Sequence, residues 1–354
     1  MRKKRILFLG ETYRADAITW INGLKEFGDF EIVTWELQTK STGFSRLRRL
    51  FELFKTLINF KKIAKSFNTD MVIAERTTSY GFLAAISGIK PIAIAQQGSS
   101  DLWPFNSPLY IFKKILQNYA FKKADLIHAW GPVMANHMKK SNVDMKKVMV
   151  MPKGINLNNF KYQLQQNESK IKAIVTRSLQ VEYHHDLILK AFSLIKKQNI
   201  PFELTIVGGG ILLEKLKLLA KELSIENEVN FTGVIPNDAL PKYLQEANIY
   251  ISYPESEGVS ASLFEAMACG VFPIVTDLEG NRTWINQREN GVLVQHKNIQ
   301  ELANEIIWAF DNPAISNEAI KKNRTFVEEN ANYEINMAKI ANVYHDLINK
   351  KNNL

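Results

Sequence analysis

Two glutamates eight residues apart, Glu257 and Glu265, flank a glycine-containing turn in the segment YPESEGVSASLFEAMACGVFPIVT, running from Tyr253 to Thr276. Ionised carboxylates accept hydrogen bonds from paired O–H donors, which is what binding a sugar through its hydroxyls demands. Between them Gly258, Val259, Ser260, Ala261 and Ser262 lead into the apolar-periodic run LFEAMA, so the pattern predicts a helix that opens at the serines. The backbone N–H groups at such an opening attract phosphate. One acid before the helix and one a turn inside it therefore fit the two sides of a diphosphate that carries a sugar. The same residues admit a structural reading, because Ser262 and Glu265 also satisfy the S-x-x-E capping box.

A departing diphosphate gains negative charge, and a site that stabilises it needs cations or oriented N–H donors. Arg177, directly after the apolar run Ile171–Thr176, is the candidate, with a solvated strand-end charge as the alternative. Gly208, Gly209 and Gly210 suit a tight strand-to-helix turn. A dinucleotide fingerprint would need a glycine where Leu213 stands, which disfavours nicotinamide binding. Near the start, Gly10, Glu11 and Thr12 end a first strand, the place where doubly wound folds take ligands. Asp16 and Asp101 either meet an acceptor or serve as helix-start acids. The chain has no D-x-D motif and its six histidines are scattered apart from His184-His185, so no metal is expected.

The elements that must carry these residues are legible as alternation. Six short apolar or β-branched runs precede residue 152, from Arg5–Leu9 to Val148–Met151, and six follow residue 170, from Ile171–Thr176 to Val292–Val294, with helical patterns between. This predicts an α/β protein with parallel sheets. At 354 residues the chain exceeds what one core sustains, and the polar, proline- and asparagine-containing stretch Pro152–Lys170 is the natural linker. Expected boundaries are 1–160, 161–330 and a helical tail, 331–354.

The single cysteine, Cys269, excludes an intrachain disulfide and fits a reducing cytosol, and its expected role is small apolar filler. The start MRKKRILFLG has too short an apolar run for a signal peptide, and no run reaches the length of a membrane span. A cytoplasmic protein, soluble or peripheral on the membrane, is expected. Charge is uneven: residues 1–165 hold 26 Lys+Arg against 12 Asp+Glu, or +14, of a total of +9. Much of this lies in SRLRRLFELFKTLINFKKIAK, either a buried amphipathic helix with a solvated basic face or a surface for anionic lipid. The basic residues lack the aromatic interleaving of single-strand binders, so no nucleic acid is expected.

With these residues in order, the chain resembles the retaining glycosyltransferases of family 4, which have the two-Rossmann GT-B fold. The resemblance runs from RILFLGETYRADAITWINGL through QQGSSDLW, KKVMVMPKGINLNNF, TRSLQVEYHHDLILKAF, LTIVGGG, VNFTGVIP and EAMACG to GNRTWINQRENGVLV. It implies two Rossmann-like domains facing across a cleft, acceptor in the first, nucleotide sugar in the second, and a terminal helix crossing back to the first domain. It implies Arg177 and Glu257 as the catalytic pair, with Gly10, Gln97, Gly208, Val234, Ile235, Gly258 to Ser262 and Glu265 around the donor. Glu11, Thr12, Asp16 and Asp101 fall toward the acceptor. A UDP- or GDP-linked donor, a surface-glycan or lipid-linked acceptor, no metal and no cofactor follow from the same resemblance. Where the family places a lysine after the arginine, this chain has Glu182, Tyr183 and His184, and Tyr183 or Arg282 would have to take its place. Gln97 stands where many relatives carry histidine or tryptophan. These departures keep two other readings open, a sugar-nucleotide-binding protein without turnover and a nucleotide-sugar epimerase on the same fold.

Overall fold

Strands buried on both faces of a parallel sheet need apolar residues at nearly every position, and the short runs of this chain supply them. The computed structural model describes residues 2–37, 60–96, 109–164 and 169–352. Among these residues, β1 (Arg5–Leu9), β2 (Glu31–Trp35), β3 (Met71–Glu75), β4 (Ile92–Ala95), β5 (Leu126–Ala129) and β6 (Val148–Val150) form one sheet in the order β2-β1-β3-β4-β5-β6. β7 (Ile171–Val175), β8 (Phe202–Val207), β9 (Val229–Gly233), β10 (Ile249–Ser252), β11 (Phe272–Thr276) and β12 (Val292–Val294) form a second, β12-β11-β10-β7-β8-β9. Both are parallel, and β1, β6, β7 and β12, the first and last strand of each half, lie within a residue of their expected limits at either end.

The chain divides into two compact units, Met1–Lys153 with Tyr333–Leu354, and Gly154–Asn332. The helix Tyr333–Asn352 belongs to the first because Met337, Ile340, Ala341, Tyr344 and Ile348 recur at helical spacing and are all buried. Its Tyr333 hydroxyl donates to the Thr19 carbonyl at 2.8 Å, and the Tyr344 hydroxyl pairs with His128 Nε2 at 2.6 Å. The basic helical pattern of residues 45–65 falls largely outside the described residues, as do Gln97 and Asp101.

Each sheet reverses its winding once. In the first, β2 and β3 flank β1; in the second, β8 and β10 flank β7. Strands on either side of such a point send their following loops in opposite directions and leave a crevice at their carboxyl ends, where open α/β sheets bind ligands. The crevices fall between β1 and β3 and between β7 and β10.

Candidate functional site

In the second unit, β7 and β10 pair in parallel register, Ala173 beside Ile249 and Ile174 beside Tyr250, so the residues after each strand emerge side by side. This brings Arg177 to the segment that follows β10 although about 80 residues separate them. Its Nη2 donates to a carboxylate oxygen of Glu257 and, at 2.7 Å, to Ser260 Oγ, while its Nε reaches Ser252 Oγ at 3.4 Å. The guanidinium lies 5.3 Å from the centre of the Tyr183 ring. The side chains of Arg177 and Glu257 are only 16% and 14% exposed, so their charges stabilise one another where water screens little. Burial opposes the charge of Arg177, but Tyr250, Glu257 and Tyr183 around it hold the guanidinium more firmly protonated than usual.

The helix Ala261–Cys269 opens as the serines predict. Ser260, in extended backbone geometry, is the cap, its Oγ accepting from the Leu263 N–H at 3.3 Å. Ser262 accepts instead from the Tyr250 hydroxyl at 2.9 Å and lies 3.1 Å from Ser260 Oγ. The Ser262–Glu265 capping box therefore does not form, and Glu265 is left half-buried in the second turn without a hydrogen bond among the described residues. Burial pushes its carboxyl up to about 7, against the lowering influence of Arg177. Leu263, Phe264, Ala266, Met267, Ala268 and Cys269 are all buried, which anchors the helix from several sides. Cys269 packs as expected, its thiol pushed up to about 12 by burial.

Glycines set the backbones close. Gly208 has φ +142°, and a Cβ there would stand 2.5 Å from the Arg177 carbonyl. Beyond β9, Val234 is 83% exposed and Ile235 half-buried. Gly258, Val259 and Ser260 form the turn between Glu257 and the helix, which Ala261 begins. Gly280 backs this turn, and a Cβ on it would lie 2.3 Å from the Glu257 carbonyl and 2.7 Å from that of Gly258. Gly280→Ala is thus expected to displace the loop at a cost of about 1–3 kcal/mol. Calorimetric melting should show a folded protein of lower melting temperature, by an amount that corresponds to this cost. An alanine variant that melts as wild type would mean that the loop yields freely. Of the two substitutes for the family's lysine, Tyr183 adjoins Arg177, whereas Arg282 is held by both oxygens of Asp277 at 2.6 and 2.8 Å.

The first unit carries a comparable arrangement at its own crevice. Arg76 Nη1 and Nη2 donate to the two oxygens of Glu11 at 2.9 and 2.7 Å, joining the ends of β1 and β3. Arg76 adopts φ +63°, a left-handed conformation uncommon for a residue with a side chain. Beneath it, Glu75 is buried against Gly10, its carboxyl pushed up to about 7 by burial and by Asp16. Lys153 donates to the Asp16 carbonyl at 2.9 Å and stands 4.7 Å from the Trp130 ring centre. Burial drives its ammonium below the ordinary lysine range while Asp16 and Glu75 pull it upward. Glu11 and Asp16 thus lie at this crevice with Glu75, Arg76 and Lys153, which sequence reasoning missed, while Thr12 is a half-buried turn residue between them in sequence. An apolar strand ending in Glu-Arg was the available signal.

Comparison with known proteins bears on the family and the fold. Residues 158–326 match the family "Glycosyl transferases group 1", and residues 5–129 match "Glycosyl transferase 4-like". An uncharacterized glycosyltransferase of Methanocaldococcus jannaschii is 25% identical over 252 residues, covering 69% of this chain and 64% of that protein. The Campylobacter jejuni N-acetylgalactosamine-N,N'-diacetylbacillosaminyl-diphospho-undecaprenol 4-alpha-N-acetylgalactosaminyltransferase is 26% identical over 250 residues, covering 68% of this chain and 67% of that protein. The chain thus spans at most about two thirds of the length of these curated relatives. Anabaena HepE, solved in complex with UDP, superposes with a TM-score of 0.78 at 15% identity over 98% of this chain and 100% of that one. With two parallel six-stranded sheets, matched family models along both halves and this fold in common, the chain belongs to the group 1 glycosyl transferases of the GT-B fold.

Proposed function

We propose that this protein transfers a sugar from a nucleoside diphosphate to a surface-glycan or lipid-linked saccharide, with retention of anomeric configuration. The observation that carries the reading is the meeting of Arg177, Glu257 and the Ser260-capped helix start at the crevice between β7 and β10. The diphosphate would take Arg177 and the helix N–H groups, the sugar hydroxyls Glu257 and Glu265, and the base the exposed Val234 with Ile235. In the first unit the acceptor would meet Glu11, Thr12 and Asp16. The bond from the sugar C1 to the β-phosphate oxygen breaks, the acceptor oxygen joins C1 on the same face, and its proton passes to the departing phosphate. Arg177 and the helix start carry the developing charge, so no divalent ion is required; adding Mg2+ to chelator-treated protein should leave the rate unchanged.

UDP is the favoured nucleotide because HepE was also solved with UDP-glucose. Thermal-shift measurements with UDP, GDP, ADP and their sugar conjugates test the reading, since a ligand of the folded state raises its stability. A shift with one base, lost in Arg177→Ala, supports it. A shift without transfer to any acceptor would favour the binding protein without turnover, a reading that the absent lysine and the Glu257-bound Arg177 support, and silence toward every nucleotide would reject both.

The basic first half would hold the protein on the cytoplasmic face of a membrane, where a lipid-linked acceptor lies. No described helix is long and apolar enough to cross one. Liposome sedimentation at low salt tests this, and equal binding to neutral and anionic vesicles would reject it.

A further inference from the structure

Two loops carry the donor-side residues of the second unit, and a cluster unrelated to sugar or phosphate binds them together. His184 ends the loop that begins at Arg177, and Glu255 precedes Glu257 by two residues. The Glu255 N–H donates to the Glu182 carbonyl at 3.1 Å, so the loops already run side by side. His184 Nε2 lies 2.9 Å from Glu255 Oε1. His296, two residues beyond β12, places its ring centre 4.7 Å from that of His184. Its Nε2 is shielded from solvent and has no hydrogen-bond partner. One ligand atom from each of the three residues lies within 4.8 Å of the others.

We infer that His184, Glu255 and His296 form a binding site for a transition-metal ion of zinc type, which ties the Arg177–His184 loop to the loop that carries Glu257. Two imidazoles and one carboxylate are a donor set that zinc takes, leaving a fourth position for water. Hard ions such as Mg2+ prefer all-oxygen shells, so the imidazoles select against them. Around a tetrahedral ion with bonds of about 2.0–2.1 Å, ligand atoms stand about 3.4 Å apart. The Glu255 side chain is 53% exposed, so its carboxylate can make the required adjustment, of the order of 1 Å, without disturbing the core. An ion here would also answer the unpartnered nitrogen of His296, a buried polar atom that otherwise lacks compensation. The site stands apart from the transfer step: it fixes the loops that hold Arg177 and Glu257, and neither residue is among its ligands.

The test is titration of the full-length, chelator-stripped protein with Zn2+ in competition with a chromophoric chelator, beside thermal melting. Wild type is expected to take up about one Zn2+ per chain with a Kd of about 1 µM or tighter. Its melting temperature should rise on binding. Glu255→Gln and His296→Ala should each weaken uptake at least about tenfold and abolish the rise in melting temperature. Glu255→Gln alters a half-exposed group, so its metal-free melting should match wild type and it decides the matter should His296→Ala fold poorly. Wild-type affinity weaker than about 100 µM, or uptake unchanged in Glu255→Gln, would overturn the site. Co2+ adds an independent readout: the visible absorption of a tetrahedral complex in wild type, lost in the variants.

Discussion

Arg177→Ala is expected to lower kcat by about 100- to 1000-fold, the cost typical of removing one oriented donor from a developing oxyanion. The side chain emerges beside β10 at a point where the sheet reverses its winding, and the supports around it are nearly dry. Removing it also strips Glu257 of its partner, leaving a carboxylate that is only 14% exposed to find a proton or water. Because Arg177 lowers the Glu265 carboxyl, its loss should move the pH dependence of donor binding upward. Arg177→Lys should recover part of the rate, since it keeps the charge but not the planar fork. Steady-state kinetics with a matched nucleotide sugar decide the matter. A rate within about threefold of wild type would remove Arg177 from the transfer step.

The second large effect belongs to Glu265. Its ordinary carboxyl range lies near 4.5, and burial lifts it to about 7 in the folded, ligand-free protein. The folded state therefore holds a proton that the unfolded chain has released between these values, so this residue's contribution to stability falls as pH rises from about 4.5 to 7. Donor binding should run the other way, because hydroxyls donate to the ionised form. Affinity at pH 6 should be about tenfold weaker than at pH 8, the ratio of ionised fractions for a group titrating near 7. Glu265→Gln is expected to flatten that profile and to cost about 100-fold in kcat/KM through lost hydrogen bonds to a charged group. It should also melt higher than wild type at pH 8 in the absence of ligand. Calorimetry across pH separates the claims: a glutamine variant with the wild-type pH dependence would show that another group titrates.

Much of the scaffold was legible because its signals are local. Strands of a parallel sheet are short apolar runs, and their limits are set by the polar residues that end them. The helix Ala261–Cys269 was equally plain, although the choice of Ser260 over Ser262 as its cap was not. That difference depends on Tyr250, whose hydroxyl occupies Ser262 from a neighbouring strand, a fact outside the reach of local pattern. The pairing of Glu11 with Arg76 and the meeting of His184 with His296 depend on strand order, which spacing along the chain does not encode. Glu75 shows the same limit from another side. An acidic residue at the end of an apolar run looks like a solvated terminus until the loops above it are seen to cover it.

The chain of hydroxyls at the start of the helix Ala261–Cys269 has a direction. Ser260 Oγ takes hydrogens from Arg177 and from the Leu263 amide, which occupies both lone pairs and sends its own hydrogen toward Ser262. Ser262 Oγ, already receiving from Tyr250, is then saturated as an acceptor as well, so its hydrogen is left for a partner other than these two. At this spot the hydroxyl chain therefore has a hydrogen to spare and no lone pair. Polarity toward an anion is written into rotor orientation as well as into formal charge, and it is Tyr250, buried in the strand beneath, that keeps the rotors from turning round.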